Sequence, residues 1–297
     1  MEVFNPSTII TDFSKGDIIL GIDEAGRGPT LGPMVYACAY WDSKYDKEIR
    51  FKFKFDDSKK LKPETREKMY DEICKYPNLI KFETIIISPE YLSQEMLKRQ
   101  KVSLNVISQN AAVELVLAAK RKGANITHIY VDTVGSPAKY AEHLKKNIGD
   151  DKLQITVESK ADATYACVSA GSIIAKVTRD KCVENWEFKE KEIVDRNIGS
   201  GYPSDPYTCK WLERNYDSLF GFPSFARFSW KTIKNKIKES GNNCEWENYV
   251  EEEEDNKKKY GHHSEDIEKQ QQLISFQSNS IKKNFYEQNE ISFDIDL

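Results

Sequence analysis

Apolar positions along the chain fall into short continuous runs, alternating runs and helical stripes. Asp17 to Asp23 and Pro33 to Trp41 are short, almost wholly apolar and bounded by glycine and proline, which predicts two buried strands paired through the loop between them. Phe82 to Ile87 is apolar and β-branched, a third strand. Ile126 to Asp132 repeats the first pattern, apolar residues leading to an acid and then Thr133-Val134-Gly135. Leu153, Ile155 and Val157 alternate with polar neighbours and predict a half-buried strand near a sheet edge. Between the strands the period changes to that of helices. Pro63 opens one to about Lys75, and Ser88-Pro89-Glu90 carries an N-cap and a first-turn proline for another. Leu104, Ile107, Ala111, Leu115 and Ala118 mark one face of a helix over 104–122, widened by Val106, Val113 and Val116 and ended by Gly123. Further helices are expected over 137–146, 165–191, 206–217 and 229–239, with 42–60 read as a charged surface loop. The helix from 165 is rich in small residues, and close approach to the sheet accounts for Gly171 inside it.

Three consecutive strands followed by helix-linked strands predict an α/β fold with a mixed central sheet flanked by helices and a helical C-terminal extension. Residues 1–16 read as a lead-in, 17–239 as the folded domain and 240–297 as an acidic, polar, mostly disordered tail. The chain has 297 residues, enough for one sizeable core. Its net charge of -4 alone argues against a polyanion binder. The charge is divided unevenly: 14 acids and 6 bases lie from Ser240 onward, which leaves 38 bases against 34 acids before it. The predicted domain is therefore mildly basic and compatible with nucleic acid.

The six cysteines include no CxxC pair, and with few, poorly spaced histidines they predict reduced thiols and no zinc site. MEVFNPSTIITDFSKG lacks the basic flank and apolar stretch of a secretory leader, and no apolar run reaches a membrane span. A soluble intracellular protein is expected.

Asp23 and Glu24 end the first strand and run into Gly26-Arg27-Gly28-Pro29. Charge beside a core is costly, and either a surface turn or metal coordination would account for the pair. Asp132 ends another strand, and Asp162 lies just past the strand ending near Val157; each alone reads equally as a capping residue. If the first and fourth strands are parallel neighbours, Asp23 and Asp132 come side by side at the sheet end, where open α/β proteins place their sites. Four carboxylates together repel unless cations neutralise them, and hard oxygen donors suit magnesium or manganese. Two such ions can clamp a scissile phosphate without a catalytic histidine. His128 and His143 are read as structural or solvated.

DEAGRGPTLGP, DSKKL, VDTVG, SKADATYACVSAGSIIAKVTRD and GSGYPSDP occur in the order and spacing of the type 2 ribonucleases H (RNase HII), which the chain resembles over roughly residues 17–238. GSGYPSDP and FGFPSFARFSW look like the catalytic subunit of the eukaryotic enzymes. The resemblance implies a ribonuclease H-like fold and a metal-dependent endonuclease cutting 5′ of ribonucleotides in RNA–DNA hybrids and of single ribonucleotides in duplex DNA. It leaves 3′-hydroxyl and 5′-phosphate ends. The family's metal carboxylates fall on Asp23, Glu24, Asp132 and Asp162, with two magnesium or manganese ions. Its ribose-reading turn falls on Gly26, Arg27 and Gly28; reading the 2′-hydroxyl is what separates RNA from DNA. The junction-sensing tyrosine falls on Tyr202, and Lys59, Lys160, Lys176 and Arg179 match phosphate contacts. Arg227 and Trp230 are family-like and are assigned a structural role. Two accessory subunits, completing a heterotrimer, and a nuclear location are implied as well. In the tail, Gln270, Leu273 and Phe276 have the spacing of a sliding-clamp-binding peptide, without its second aromatic. A non-catalytic nucleic-acid-binding subunit, or another two-metal nuclease or strand transferase, are the rival readings.

Overall fold

The structure, a computed structural model, describes residues 4–55, 61–190 and 195–240, all within the unit Met1–Gly241. The expectations for Lys59 and for the tail, including its clamp-binding spacing, lie outside the described residues. Five strands form one sheet: β1 (Ile18–Ala25), β2 (Met34–Asp42), β3 (Lys81–Ile87), β4 (Ile126–Asp132) and β5 (Gln154–Glu158), in the order β3-β2-β1-β4-β5. β1, β2 and β3 are antiparallel, while β1–β4 and β4–β5 are parallel. This is the mixed sheet expected from the element order.

Strand alternation divides the core between the two faces. Ile18, Leu20 and Ile22 of β1 and Met34, Tyr36, Cys38 and Tyr40 of β2 pack with α4 (Leu104–Arg121) and α5 (Pro137–Ile148). Val35, Ala37, Ala39 and Trp41 point the other way, onto α1 (Asp46–Phe53), α2 (Pro63–Cys74) and α7 (Ala166–Glu184). α7 crosses β1 at Gly21, where a Cβ would lie 2.2 Å from the backbone of Cys167 and Val168. Gly171 on α7 in turn faces the carbonyls of Ala37 and Gly21, with 3.2 Å left for a Cβ. The small residues of α7 thus let it sit on the sheet at backbone distance, as its composition predicts. A third core joins Leu31, Ile198, Trp211, Leu212, Phe222, Phe225 and Ala226 with Ile233 of α9 (Lys231–Ser240).

Three elements depart from expectation. Residues 42–60 are not all loop: α1 forms there and buries Ile49 and Phe53. α7 ends at Glu184, seven residues before the predicted end, because Trp186 and Phe188 leave the helix to pack on Phe225. Val106 on α4 does not widen the buried face but is exposed. α3 (Pro89–Leu97) starts as expected, with Ser88 accepting from the Tyr91 amide at 3.1 Å. α6 (Ala161–Thr164) is a single turn between β5 and α7, and α8 (Pro206–Arg214) follows the 199–205 loop. The five cysteines among the described residues are unpaired, and no described helix is long and apolar enough to cross a membrane.

Candidate active site

β1 and β4 are central parallel neighbours whose pairing runs to Ile22 beside Val131, so the next residues, Asp23 and Asp132, follow side by side where that pairing ends. Both point to the α7 side. Asp23 is buried and accepts from the Glu24 amide at 2.7 Å. Burial pushes its carboxyl up to about 7, and the like charge of Asp132 adds to this; Ser172 hydrogen-bonds it and, with the charge of Lys176, pulls the other way. Lys176 does not stand free for phosphate: its Nζ donates to Ser172 Oγ at 2.8 Å. Asp132 Oδ1 accepts from the Ala161 amide at 3.1 Å, which ties the first turn of α6 to the end of β4. Asp162 follows Ala161 and is buried beneath that contact.

Glu24 points to the opposite face. It stands directly across from Tyr36 on β2, and its charge acts on the buried hydroxyls of Tyr36 and Tyr140. The period of two therefore divides the adjacent acids between the faces, where they meet only around the sheet end. Among the described residues no three His, Cys, Asp or Glu side chains are grouped closely enough to hold one ion. In kind the donors fit hard cations: carboxylate oxygens, with buried Asp23 beside half-buried Asp132, where like charge needs neutralising.

The turn after Glu24 is held from behind. Gly26 has φ +76°, and a Cβ there would meet Arg179 Nε at 2.2 Å, so only glycine fits. Arg227 is fully buried, has no carboxylate partner among the described residues, and donates to the carbonyls of Gly32 at 2.8 Å, Arg27 at 3.1 Å and Gly26 at 2.6 Å. Burial, then neighbouring Arg179, lowers its guanidinium to about 9. Trp230 lies against it, 4.7 Å from guanidinium carbon to ring centre, and donates to the Gly28 carbonyl at 3.2 Å. With these carbonyls facing the clamp, trans geometry turns the amides of Arg27 and Gly28 the other way. The structural role assigned to Arg227 and Trp230 is thus a specific one. Sequence held no sign of it, since the partners are some 200 residues apart.

The Arg27 side chain is committed to α4, donating to Ser108 Oγ and, at 2.5 Å, to Asn105 Oδ1. Neither partner was singled out in the sequence. Tyr202 lies on Gly28, whose Cβ would come within 2.9 Å of the ring, yet 46% of the tyrosine stays exposed. The Thr30 amide donates to the Gly201 carbonyl at 2.7 Å and joins the two loops. Arg179 donates to the Pro33 carbonyl at 3.3 Å, while Lys160 is exposed and opens α6 with φ +62°. His128 bonds Thr156 at 2.8 Å and His143 bonds Asn110 at 3.0 Å, away from the carboxylates, as structural roles require.

A sequence profile of the family described as Ribonuclease HII matches residues 20–233. The chain belongs to the ribonuclease HII family. It is 43% identical to a ribonuclease H2 subunit of Dictyostelium discoideum over 238 residues, 77% of this chain and 80% of that one. Among solved structures it is similar to ribonuclease H2 of Pyrococcus horikoshii, with TM-score 0.62, 33% identity, and coverage of 76% of this chain and all of that one. It is also similar to the RNase HII of Archaeoglobus fulgidus solved with PCNA, with TM-score 0.60, 34% identity, and coverage of 72% and 95%. Membership makes this chain a ribonuclease H, an endonuclease that hydrolyses RNA in RNA–DNA hybrids, with the ribonuclease H-like fold.

Proposed function

We propose that the chain cuts on the 5′ side of ribonucleotides, both in hybrids and where a single one is embedded in duplex DNA, leaving 3′-hydroxyl and 5′-phosphate ends. Asp23, Glu24, Asp132 and Asp162 would hold two divalent cations, magnesium or manganese. Such ions supply an activated water and neutralise charge at the scissile phosphate. The observation that carries the reading is that Asp23 and Asp132 directly follow the last parallel pair of β1 and β4, Ile22 and Val131, with burial raising the Asp23 carboxyl to about 7. Around it the residues divide the work. The amides of Arg27 and Gly28, turned outward by Arg227 and Trp230, meet the ribose 2′-hydroxyl. Tyr202 offers its exposed ring beside Gly28 to the adjoining sugar. Lys160 and Arg179 meet phosphates, as Lys59 does by family resemblance, and Lys176 serves Asp23 before any phosphate.

Residues 17–239 form the catalytic unit, and 240–297 a tail that serves other contacts. The name of the Dictyostelium relative, one subunit of a ribonuclease H2, supports two accessory subunits in a heterotrimer. The archaeal complex with PCNA supports a sliding clamp as a partner, through Gln270, Leu273 and Phe276. A nuclear location follows from that company.

Asp132→Asn in the full chain is expected to lose cleavage of a duplex carrying one ribonucleotide by at least ~100-fold while still binding it, read by gel assay and anisotropy. Turnover close to wild type removes Asp132 from the site. In the same assay Tyr202→Ala loses more on the single ribonucleotide than on a long hybrid; equal losses refute its junction role.

A further inference from the structure

On the α4 and α5 side of the sheet end, two tyrosines from different elements converge on Glu24. Tyr36 on β2 is 1% exposed and directly opposite Glu24 in register, and Tyr140 on α5 is 0% exposed. The Tyr140 hydroxyl has no hydrogen-bond partner among the described residues. It packs in the same core as Tyr36, the residue opposite Glu24, and the charges of Glu24, Arg27, Asp23 and Asp132 act on it. Tyr36 faces Glu24, Tyr140, Ser108 and Arg27, and Ser108 is the residue that accepts from Arg27. A buried hydroxyl without a partner costs about 1–3 kcal/mol, and a phenylalanine would fill the same space without that cost. The fold therefore carries a donor in a position where the protein alone gives it nothing to do.

We propose that Tyr140 is a positioning residue for the hydrolysis, its hydroxyl donating to the Glu24 carboxylate when cations draw the four acids together. Tyr36 closes the other side of Glu24. A phenol is protonated at neutral pH and can donate to a carboxylate. The choice of tyrosine follows from the alternation of β1: Glu24 points away from the face on which Ser172 and Lys176 act on Asp23, and toward the face that carries the tyrosines. A ligand that must swing around the sheet end loses rotamer freedom on binding, and a donor behind it lowers that cost. Through Ser108 the same wall supports Arg27, so the ribose-reading turn and the Glu24 carboxylate rest on one set of side chains.

The inference rests on Glu24 and Asp132 being cation ligands. The test uses the full chain with Tyr140→Phe, and Asp132→Asn as control. Thermal unfolding in chelator, manganese binding by calorimetry and single-ribonucleotide cleavage are measured on each. Tyr140→Phe is expected to melt at or slightly above the wild-type temperature, since it removes only an unpartnered hydroxyl. It should bind manganese about tenfold more weakly and lose kcat with KM little changed. Manganese affinity equal to wild type, with Asp132→Asn impaired, overturns the role of Tyr140 alone, and a lowered melting temperature with that affinity makes it an ordinary core residue. Unimpaired manganese binding by Asp132→Asn overturns the underlying assignment of ligands as well.

Discussion

Asp23 is the residue at which the site strains the fold. Its folded carboxyl sits at about 7 through burial, against 3.8 in the open chain, with the charge of Asp132 adding to it. The unfolded chain thus releases its proton first, and the fold is penalised progressively as pH rises from about 4 to about 7. Above that range both states are ionised and the full penalty stands, on the order of a few kcal/mol. Asp23→Asn cannot ionise and keeps oxygen and nitrogen where Ser172 and the Glu24 amide bond. In chelator it is expected to melt several degrees higher than wild type at about pH 8, the gap closing as pH falls toward 4. Equal melting at both pH values refutes the burden placed on Asp23. Saturating manganese should narrow the gap at pH 8 by stabilising the wild type. The pairing of Asp23 with Asp132 was legible in the sequence because both end apolar runs. The tyrosines around Glu24 were not, since Tyr36 and Tyr140 read as ordinary apolar positions of a strand and a helix.

At the scale of elements, the seat of α7 on β1 sets the position of everything at the sheet end. Gly21 lies two residues before Asp23, with the α7 backbone where its side chain would be. Gly21→Ala must lift α7, the helix that carries Ser172 and Lys176 to Asp23. A cost of about 3 kcal/mol or more is expected from such overpacking, a fall in Tm of roughly 6–12 °C for a unit of this size. A melting temperature unchanged in the variant refutes the close seat. The strands themselves and the small-residue helix were legible because period and residue size are local properties. α1 was hidden because its eight residues carry only Ile49, Phe51 and Phe53 as apolar positions among charges, and Phe51 is exposed. The end of α7 was misplaced because helix propensity continues past Glu184, while Trp186 and Phe188 are claimed by a core formed 30 to 40 residues later. Tertiary packing overrides local preference in both cases.

At the scale of the whole chain, residues from four distant stretches meet at one turn. β1 leads into Gly26, Arg27 and Gly28, α4 supplies Asn105 and Ser108 beneath Arg27, and the segment around 225–230 supplies Arg227 and Trp230 behind it. Tyr202 arrives on a fourth, joined to the turn through Thr30 and Gly201. In the proposed function, chemistry and ribose recognition lie within a few residues of each other along this stretch. The central claim is that cutting is directed by a single 2′-hydroxyl. The most direct measurement incubates the full chain, with and without the proposed accessory subunits, with a DNA duplex containing one ribonucleotide and with the same duplex lacking it, in magnesium and in manganese. One cut 5′ of the ribonucleotide, with a 3′-hydroxyl end, none in the all-DNA duplex and none in chelator, is the result predicted. Cleavage of the all-DNA duplex, or a cut 3′ of the ribonucleotide, contradicts it.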